Sequence, residues 1–410
     1  MIAAVERLTG LHWKGQGPAF LVGLGHGGTH WVIATFYVLL PFITKDLGLT
    51  YAQAGALVTV FHISAFAANI GSGAVVDMTG RRVLVQFSAL AIGAGALMAT
   101  GLAQEIVWLA AAVIIIGITN NLWHPAAISF VSRRYPNNRG YALSIHGMGA
   151  SLGDTLAPVA TGGLLVWLSW NAVAMVNAVP VFAIAALILA TLSRLDRPSE
   201  NESRQGMSLA VYFSGIAGMV RDRAVLGLCA MTGFRSMTQQ GLLVFLPLYL
   251  INELETSPWV MGLAMMGMQI GGLIAAPVAG AWSDRIGRRP VVLGGLTATT
   301  CIVVGLTVIR HEALFIAGVA MLGFVLFAVR PVIHSWLMDL TPPDMGGSAT
   351  SLMFGVQSGL SAIVPVVGGI LADGWGLPVV FYMLAATMLV ANAMVYLLPN
   401  HEVPRGDAAI

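Results

Sequence analysis

The sequence predicts an all-α integral membrane protein with twelve transmembrane helices, arranged as two six-helix bundles that share one orientation. Three observations support this prediction. Hydrophobic residues make up 57% of the 410 residues and charged residues only 9%, whereas soluble proteins carry about 25% charged residues. The chain contains twelve long apolar runs, and its second half repeats motifs of the first. A net charge of +2 is too small to indicate a nucleic-acid partner.

Each apolar run is long enough to cross a bilayer, since about 20 apolar residues span the hydrocarbon core as a helix. The predicted spans are 17–42, 51–74, 82–102, 107–131, 139–166, 171–193, 224–251, 258–282, 290–309, 312–338, 344–371 and 376–398. The connections are short except for one polar segment. We therefore expect an N-terminal six-helix bundle over 1–193, a cytoplasmic linker over 194–223, and a C-terminal six-helix bundle with a short tail over 224–410.

The positions of the basic residues predict the orientation. Lys and Arg collect on the cytoplasmic side of a membrane, and a cytoplasmic N-terminus places 16 of the 20 basic residues on that side. Only Lys45 and Arg310 fall on the opposite side, while Arg235 and Arg330 lie inside predicted spans. The sequence therefore predicts a monomeric, multi-pass inner-membrane protein with both termini in the cytoplasm.

An internal repeat relates the two halves at an offset of about 207 residues. The loop after the second span reads GAVVDMTGRR over 73–82, and the loop after the eighth span reads GAWSDRIGRR over 280–289. Span 4 contains His124 followed by proline, and span 10 contains Arg330 followed by proline, 206 residues later. Pro158 and Pro365 are again 207 residues apart. Since each half has an even number of spans, this is a parallel repeat.

The repeated G-x-x-x-D-x-x-G-R-R loop, between spans 2 and 3 and between spans 8 and 9, resembles the major facilitator superfamily. A second, local similarity begins at His124 and continues through RGYALSIHGMGASLGDTLAP over 139–158. Together with His26, that segment is similar to the fosmidomycin-resistance subgroup of bacterial exporters. The resemblance implies the major facilitator fold and secondary transport by alternating access, and the subgroup similarity favours export over uptake.

The loop motif has two interpretations. Its carboxylates stand at helix ends, where they can pair with arginine, so the residues are topology anchors or, as the family resemblance implies, a conformational latch between helices. The residues concerned are Gly73, Asp77, Gly80, Arg81, Gly280, Asp284, Gly287 and Arg288.

Polar side chains inside predicted spans are the candidates for binding, because ionisable groups in a bilayer are costly and are functional by default. Arg235 is a buried cation with no evident partner in its own span, and Asp154 is the one acid deep in a span. The predicted substrate-binding residues are His26, His30, Asn120, Asn121, His124, Arg235, Gln239, Arg330, His334 and Gln357. Asp154 and His30 are the predicted proton-coupling residues.

Several of these residues also have a structural interpretation. A histidine in a membrane span can serve as a hydrogen-bond partner between helices, which is the preferred interpretation of His62 and His146. Asp154 can be a fixed counter-ion of an arginine instead of a proton carrier. Small-residue pairs at Gly149/Gly153, Gly267/Gly271 and Gly355/Gly359 predict close helix contacts.

The polar residues favour a secondary transporter of a small organic anion, of the carboxylate or phosphonate type. Protons are the expected coupling ion, and export is slightly favoured. Two alternatives stay open: a multidrug exporter of neutral or cationic lipophilic compounds, and a non-transporting membrane receptor or scaffold. No enzyme signature is present, and no cofactor or metal is expected.

Overall fold

A computed structural model describes Glu6 and residues 11–196, 222–341 and 346–398 of the chain. At residues 14, 69–71, 73, 74, 77, 78, 346–348 and 351 it describes the backbone alone. The described chain is helical and contains twelve long helices. These are α1 (Gly17–Asp46), α2 (Tyr51–Thr79), α3 (Arg82–Thr100), α4 (Ile106–Arg134), α5 (Arg139–Leu164), α6 (Trp170–Leu192), α7 (Arg223–Asn252), α8 (Pro258–Ile286), α9 (Arg288–Leu306), α10 (Glu312–Asp339), α11 (Gly346–Trp375) and α12 (Leu377–Val395).

The twelve helices confirm the predicted spans to within a few residues at each end. Ten of them are long and apolar enough to cross a membrane. The other two are α5 and α7, which carry Asp154 and Arg235 together with further polar residues, among them His146 and Gln239. The two helices with the weakest membrane signal therefore hold two of the predicted functional residues.

The repeat is visible in the lengths of the helices. Helices α1 and α7 both have 30 residues, α2 and α8 both have 29, and α3 and α9 both have 19. Proline inside the helix recurs as well, because Pro41 of α1 and Pro247 of α7 are 206 residues apart. Such prolines are tolerated in membrane helices when neighbouring groups satisfy the freed backbone.

The chain divides into two compact units. The first unit comprises Met1–Leu49, Leu57–Gly206 and Ser257–Gly262, and the second comprises Thr50–Ala56, Met207–Thr256 and Leu263–Ile410. Each unit is therefore built mainly from one set of six helices and from a short end of one helix of the other set.

In the first unit, α1 and α5 cross with their backbones in contact. A Cβ added at Gly149 of α5 would overlap the carbonyl oxygen of Gly23 on α1, and one added at Gly153 would overlap that of Gly27. Conversely, a Cβ at Gly27 would lie 2.9 Å from the carbonyl oxygen of Gly149. Small residues allow such approach in membrane proteins, so the predicted contact at Gly149 and Gly153 is confirmed.

The other two small-residue pairs behave differently. A Cβ at Gly271 would lie 2.6 Å from the carbonyl oxygen of Ala320 on α10, which is a close contact, while Gly267 makes only ordinary contact with Ala320. For Gly355 and Gly359, no heavy atom of the described chain lies within 4 Å of the Cβ position. The prediction of a close contact at Gly355 and Gly359 is therefore wrong.

Candidate functional site

Four histidines gather in the first unit. His26 and His30 lie one turn apart on α1, with their ring centroids 4.8 Å apart. The ring of His124 on α4 stands edge-on to His26 at 5.0 Å, and the ring of His146 on α5 stacks on His26 at 3.9 Å. We call these four residues the histidine cluster; it includes three predicted substrate-binding residues and one residue expected to be structural.

Hydrogen bonds orient three of the imidazole rings. Nδ1 of His26 lies 2.8 Å from the backbone carbonyl oxygen of His146, and Nδ1 of His124 lies 2.9 Å from that of Asn120. Nδ1 of His30 lies 3.0 Å from Oδ1 of Asp154. Each of these rings therefore presents the same nitrogen to an oxygen acceptor, and each acceptor lies on a neighbouring helix or one turn earlier.

Asp154 and His30 form the pair that the sequence predicts as coupling residues. The two side chains are about a quarter exposed, at 29% and 26%. In the described chain Asp154 pairs with this histidine and not with an arginine, so the expectation of an arginine counter-ion is not met. The geometry follows from the glycine crossing, because a Cβ at Gly153 would lie only 3.0 Å from Cβ of His30.

The two asparagines of α4 contribute less than the sequence suggests. Asn120 supplies its backbone carbonyl oxygen to His124. Among the described residues, neither the Asn120 nor the Asn121 side chain forms a hydrogen bond to the histidine cluster. The backbone acceptors at Asn120 and His146 are the features that sequence reasoning missed, because a carbonyl group leaves no trace in residue identity.

A second group of candidates lies in the second unit, around Arg235 of α7. The Arg235 side chain is 3% exposed. One of its terminal nitrogens donates to Oε1 of Gln239 at 2.6 Å, and the other donates to the backbone carbonyl oxygen of Leu326 at 2.6 Å. Its Nε is buried without a hydrogen-bond partner in the described chain. The prediction that Arg235 has no partner in its own span is wrong, since Gln239 lies one turn later in α7.

Among the described residues, the charge of Arg235 nevertheless has no acidic partner. The salt bridges between described residues do not include this arginine, and both of its hydrogen-bond acceptors are neutral. Arg330 of α10 is exposed and close enough to repel the Arg235 charge. His334 lies one turn after Arg330, with its ring 5.6 Å from that of Phe354.

Gln357 of α11 is half-buried and has no described hydrogen bond to these residues. The structure therefore brings together, within the second unit, Arg235 with Gln239 and places Arg330 nearby. It leaves the predicted role of Gln357 without a supporting contact.

The second copy of the loop motif forms a network of charged residues. Gly287 adopts a φ of 94°, a left-handed conformation suited to glycine, between α8 and α9. Arg288 then pairs with Asp284 and donates to Ser283 at 2.7 Å and to Asp339 of α10 at 3.1 Å. The sequence predicts Gly280, Asp284, Gly287 and Arg288 but not Asp339, which lies about 50 residues further along the chain.

The first copy uses a different arginine. Gly80 has a φ of 61°, and Arg81, the predicted latch residue, is exposed. Its neighbour Arg82 is buried and donates to Oγ of Ser129 at 2.7 Å, and it lies 3.9 Å from Asp196. Of Gly73 and Asp77, the two other predicted latch residues of this copy, only the backbone is described.

Comparison with known proteins gives the following similarities. The family model described as the Major Facilitator Superfamily matches this chain over residues 22–257 and 228–409. A protein of Haemophilus influenzae named for metabolite transport is 25% identical over 399 residues, which cover 92% of this chain and 94% of the relative. The multidrug resistance protein MdtG of Proteus mirabilis is 25% identical over 374 residues, covering 87% of this chain and 90% of the relative.

Solved structures show the same fold. The structure of the nucleoside transporter NupG matches this chain with a TM-score of 0.78 at 14% identity, covering 93% of this chain and 99% of that protein. At this level of identity the likeness concerns the arrangement of helices and not the cargo.

Proposed function

Since the chain belongs to the major facilitator superfamily and is a membrane transporter of that family, we propose that its cargo is a small organic anion of the carboxylate or phosphonate type. Transport proceeds by alternating access across the inner membrane, with protons as the coupling ion and export as the favoured direction. The local similarity of 139–158 to the fosmidomycin-resistance subgroup supports export. The distribution of basic residues supports cytoplasmic termini.

The observation that carries this proposal is the charge of Arg235. An ionised group away from water is costly unless it is paired, yet the described acceptors of Arg235 are an amide oxygen and a backbone carbonyl oxygen. Arg330 adds a second positive charge nearby. A carboxylate or phosphonate would supply the missing negative charge, and its hydrogen bonds to a guanidinium are among the strong ones in proteins.

The coupling part of the proposal concerns Asp154 and His30. They lie 3.0 Å apart on α5 and α1, so a carboxylate and an imidazole on two different helices share one hydrogen bond. A change in the charge of either side chain alters the interaction between these helices. This arrangement supports the two residues as the coupling pair, and Asp154→Asn is expected to abolish gradient-driven transport while it preserves exchange.

The test of the anion proposal uses the purified protein in detergent. A ligand that binds the native state raises its apparent unfolding temperature by mass action, so a panel of small carboxylates, phosphonates and lipophilic cations is screened by thermal shift. We expect anions to stabilise the wild type and Arg235→Gln to remove that shift and to abolish transport. The matched control is Arg310→Gln, which changes an exposed arginine between α9 and α10 and leaves the shift intact. Unchanged anion binding in a folded Arg235→Gln protein would contradict the proposal.

A second candidate function is export of lipophilic compounds, and one observation favours it. An apolar cavity of about 470 Å³ lies in the first unit, lined among others by Trp31, Met148, Leu152 and Pro180. The similarity to the multidrug resistance protein MdtG agrees with such a cargo. Stabilisation by lipophilic cations alone, with no response to anions, would favour this function and would leave Arg235 with a structural role.

A further inference from the structure

Three histidines of the first unit bring ring nitrogens close to one another. One ring nitrogen from each of His26, His30 and His124 lies within 4.8 Å of the corresponding nitrogens of the other two. We propose that Nε2 of His26 and of His124, together with a ring nitrogen of His30, bind a divalent transition-metal ion. This inference depends on the side chains of the first unit and not on the identity of the transported compound.

The hydrogen bonds fix the protonation of two of these rings. A carbonyl oxygen accepts hydrogen bonds and cannot donate one. Nδ1 of His26 faces the carbonyl oxygen of His146, and Nδ1 of His124 faces that of Asn120, so both Nδ1 atoms carry the hydrogen. A neutral imidazole has only one N–H, so Nε2 of each ring carries a lone pair.

The two Nε2 atoms lie 3.3 Å apart. Two lone pairs at this distance form no hydrogen bond with each other, and they repel unless a cation lies between them. A tetrahedral metal ion with Zn–N distances of about 2.0–2.1 Å holds two of its nitrogen ligands about 3.3 Å apart. The separation of these two nitrogens therefore equals the one that a shared metal ion requires. The His30 nitrogen, within 4.8 Å of the other two, completes the set after a small movement of its side chain.

The outer contacts are also those of a metal site. A histidine that binds a metal usually donates its other ring N–H to a carboxylate or a backbone carbonyl oxygen, which fixes the ring and raises its basicity. All three rings do so here, with Asp154 as the acceptor for His30 and carbonyl oxygens for His26 and His124. The alternative to a metal ion is a proton shared between Nε2 of His26 and Nε2 of His124. A shared proton would require neither the third histidine nor the three acceptors.

The ligand set indicates the class of metal. Imidazole nitrogens suit zinc, copper, iron and nickel, whereas magnesium and calcium prefer oxygen. Three protein nitrogens leave a fourth coordination position for water or another ligand, as in open zinc sites. His26 is buried, but His30 and Asp154 are each about a quarter exposed, so the histidine cluster is not fully enclosed by the described chain.

The test measures Zn²⁺ binding to untagged, full-length protein in detergent after dialysis against a chelator. His12 and His311, two histidines outside the long helices, are changed to Gln in every sample to remove adventitious ligands. We expect one Zn²⁺ per chain by calorimetry and by metal analysis. Asp154→Asn, which alters only the acceptor of His30, is expected to weaken binding about 10–100-fold, and His124→Gln is expected to weaken it further. His62→Gln is the matched control, since His62 is a histidine of α2 outside the cluster.

Spectra of the metal-bound protein with an unchanged histidine cluster test the proposal even if the cluster variants fail to fold. Co²⁺ bound to the protein should show the absorption bands of a four-coordinate ion, and X-ray absorption of the Zn²⁺ form should show three nitrogen ligands at about 2.0–2.1 Å. A shell of six oxygens would overturn the proposal. So would the absence of stoichiometric Zn²⁺ binding, or equal affinity of the folded His124→Gln protein and the His62→Gln control. None of these measurements depends on transport, so they are separate from the test of the anion cargo.

Discussion

The two units are built on the same helical repeat but carry different chemistry at corresponding positions. His124 of α4 corresponds to Arg330 of α10, 206 residues later, and each precedes a proline. In the first unit the polar side chains are imidazoles that contact one another and one carboxylate. In the second, Arg330 stands at the position of His124, and the described hydrogen-bond acceptors of the buried Arg235 are both neutral. The helices therefore recur in both units, while the side chains at equivalent positions differ in chemistry.

The contact between α1 and α5 explains why the histidines of the first unit lie so close together. The offset of 207 residues between Pro158 of α5 and Pro365 of α11 pairs Gly149 with Val356, the residue after Gly355. Gly149 meets the backbone of Gly23, whereas Gly355 has open space at its Cβ position in the described chain. The backbone contact brings α1 and α5 close enough for His26 to stack on His146.

The largest expected effect comes from filling this contact. Gly149→Ala places a methyl group where the carbonyl oxygen of Gly23 lies, so α1 and α5 must separate. Overpacking of this kind costs about 1–3 kcal/mol of stability, which would appear as a lower apparent unfolding temperature in detergent. The variant is also expected to lose Zn²⁺ binding, because His26 and His30 move with α1.

Two controls test this comparison. Gly147→Ala lies on the same helix, two residues earlier, with open space at its Cβ position, and Gly355→Ala changes the similar small-residue motif of α11, where the Cβ position is also open. Both should unfold at the wild-type temperature. An equal loss of stability in Gly149→Ala and Gly355→Ala would mean that glycine matters for the helix itself and not for the crossing.

The sequence predicts the helices well because a membrane span must be a long apolar run. It predicts the helix crossings less well. Gly149/Gly153 and Gly355/Gly359 look alike, but only the first pair faces the neighbouring helix. On α11 the residues that face Gly233 of α7 are Val356 and Leu360, each one position after a glycine of the motif. The face that a helix turns to its neighbour therefore decides which motif forms a contact, and the spacing of the glycines alone does not reveal it.

For the candidate sites too, the sequence predicts what depends on one helix and misses what depends on contacts between helices. The spacing of His26 and His30 places both on one face of a helix, and this prediction needs no tertiary information. The acceptors of the rings could not be predicted, since two of them are backbone carbonyl groups. Asp196 and Asp339 were missed for another reason: each contacts an arginine more than 50 residues away in sequence.

A smaller effect is expected from changing the charge around Arg235. Gln239→Glu places a carboxylate where Oε1 of Gln239 accepts a hydrogen bond at 2.6 Å, so it neutralises the guanidinium within the protein. If Arg235 attracts an anion, the apparent affinity for the anion should fall at least about tenfold, or about 1.4 kcal/mol. The unfolding temperature should stay the same or rise.

Gln239→Leu separates charge from packing in the same position. It removes the acceptor without adding a charge, and an unsatisfied buried donor costs about 1–3 kcal/mol. We expect this variant to be less stable but to bind the anion better than Gln239→Glu does. Tighter anion binding by Gln239→Glu than by Gln239→Leu would exclude a role for the net charge of Arg235.

The smallest expected effect is that of Asp339→Ala, and its contrast with Asp196→Ala distinguishes the two copies of the loop motif. Asp196 accepts a hydrogen bond at 2.7 Å from the backbone nitrogen of Val83, in the first turn of α3, and its side chain is only 7% exposed. Asp339 is 38% exposed and contacts Arg288. Asp196→Ala should therefore cost about 1–3 kcal/mol because it leaves a buried donor unsatisfied, whereas Asp339→Ala should cost about 0–1 kcal/mol, as exposed ion pairs do.

These two variants also bear on the latch interpretation, because stability and conformational preference are separate quantities. A simple anchor contributes only to stability, so Asp339→Ala would then leave the transport rate close to that of the wild type. A latch stabilises one conformer over the other, so loss of the Arg288–Asp339 contact would change the transport rate even though the unfolding temperature hardly moves. Measuring both quantities on Asp339→Ala, with Arg310→Gln as the control for a lost surface charge, separates the two roles. A contact worth less than about 1 kcal/mol changes the populations of two conformers noticeably only when their free energies are nearly equal. A transport rate of Asp339→Ala equal to that of the control would therefore identify the second copy of the motif as an anchor.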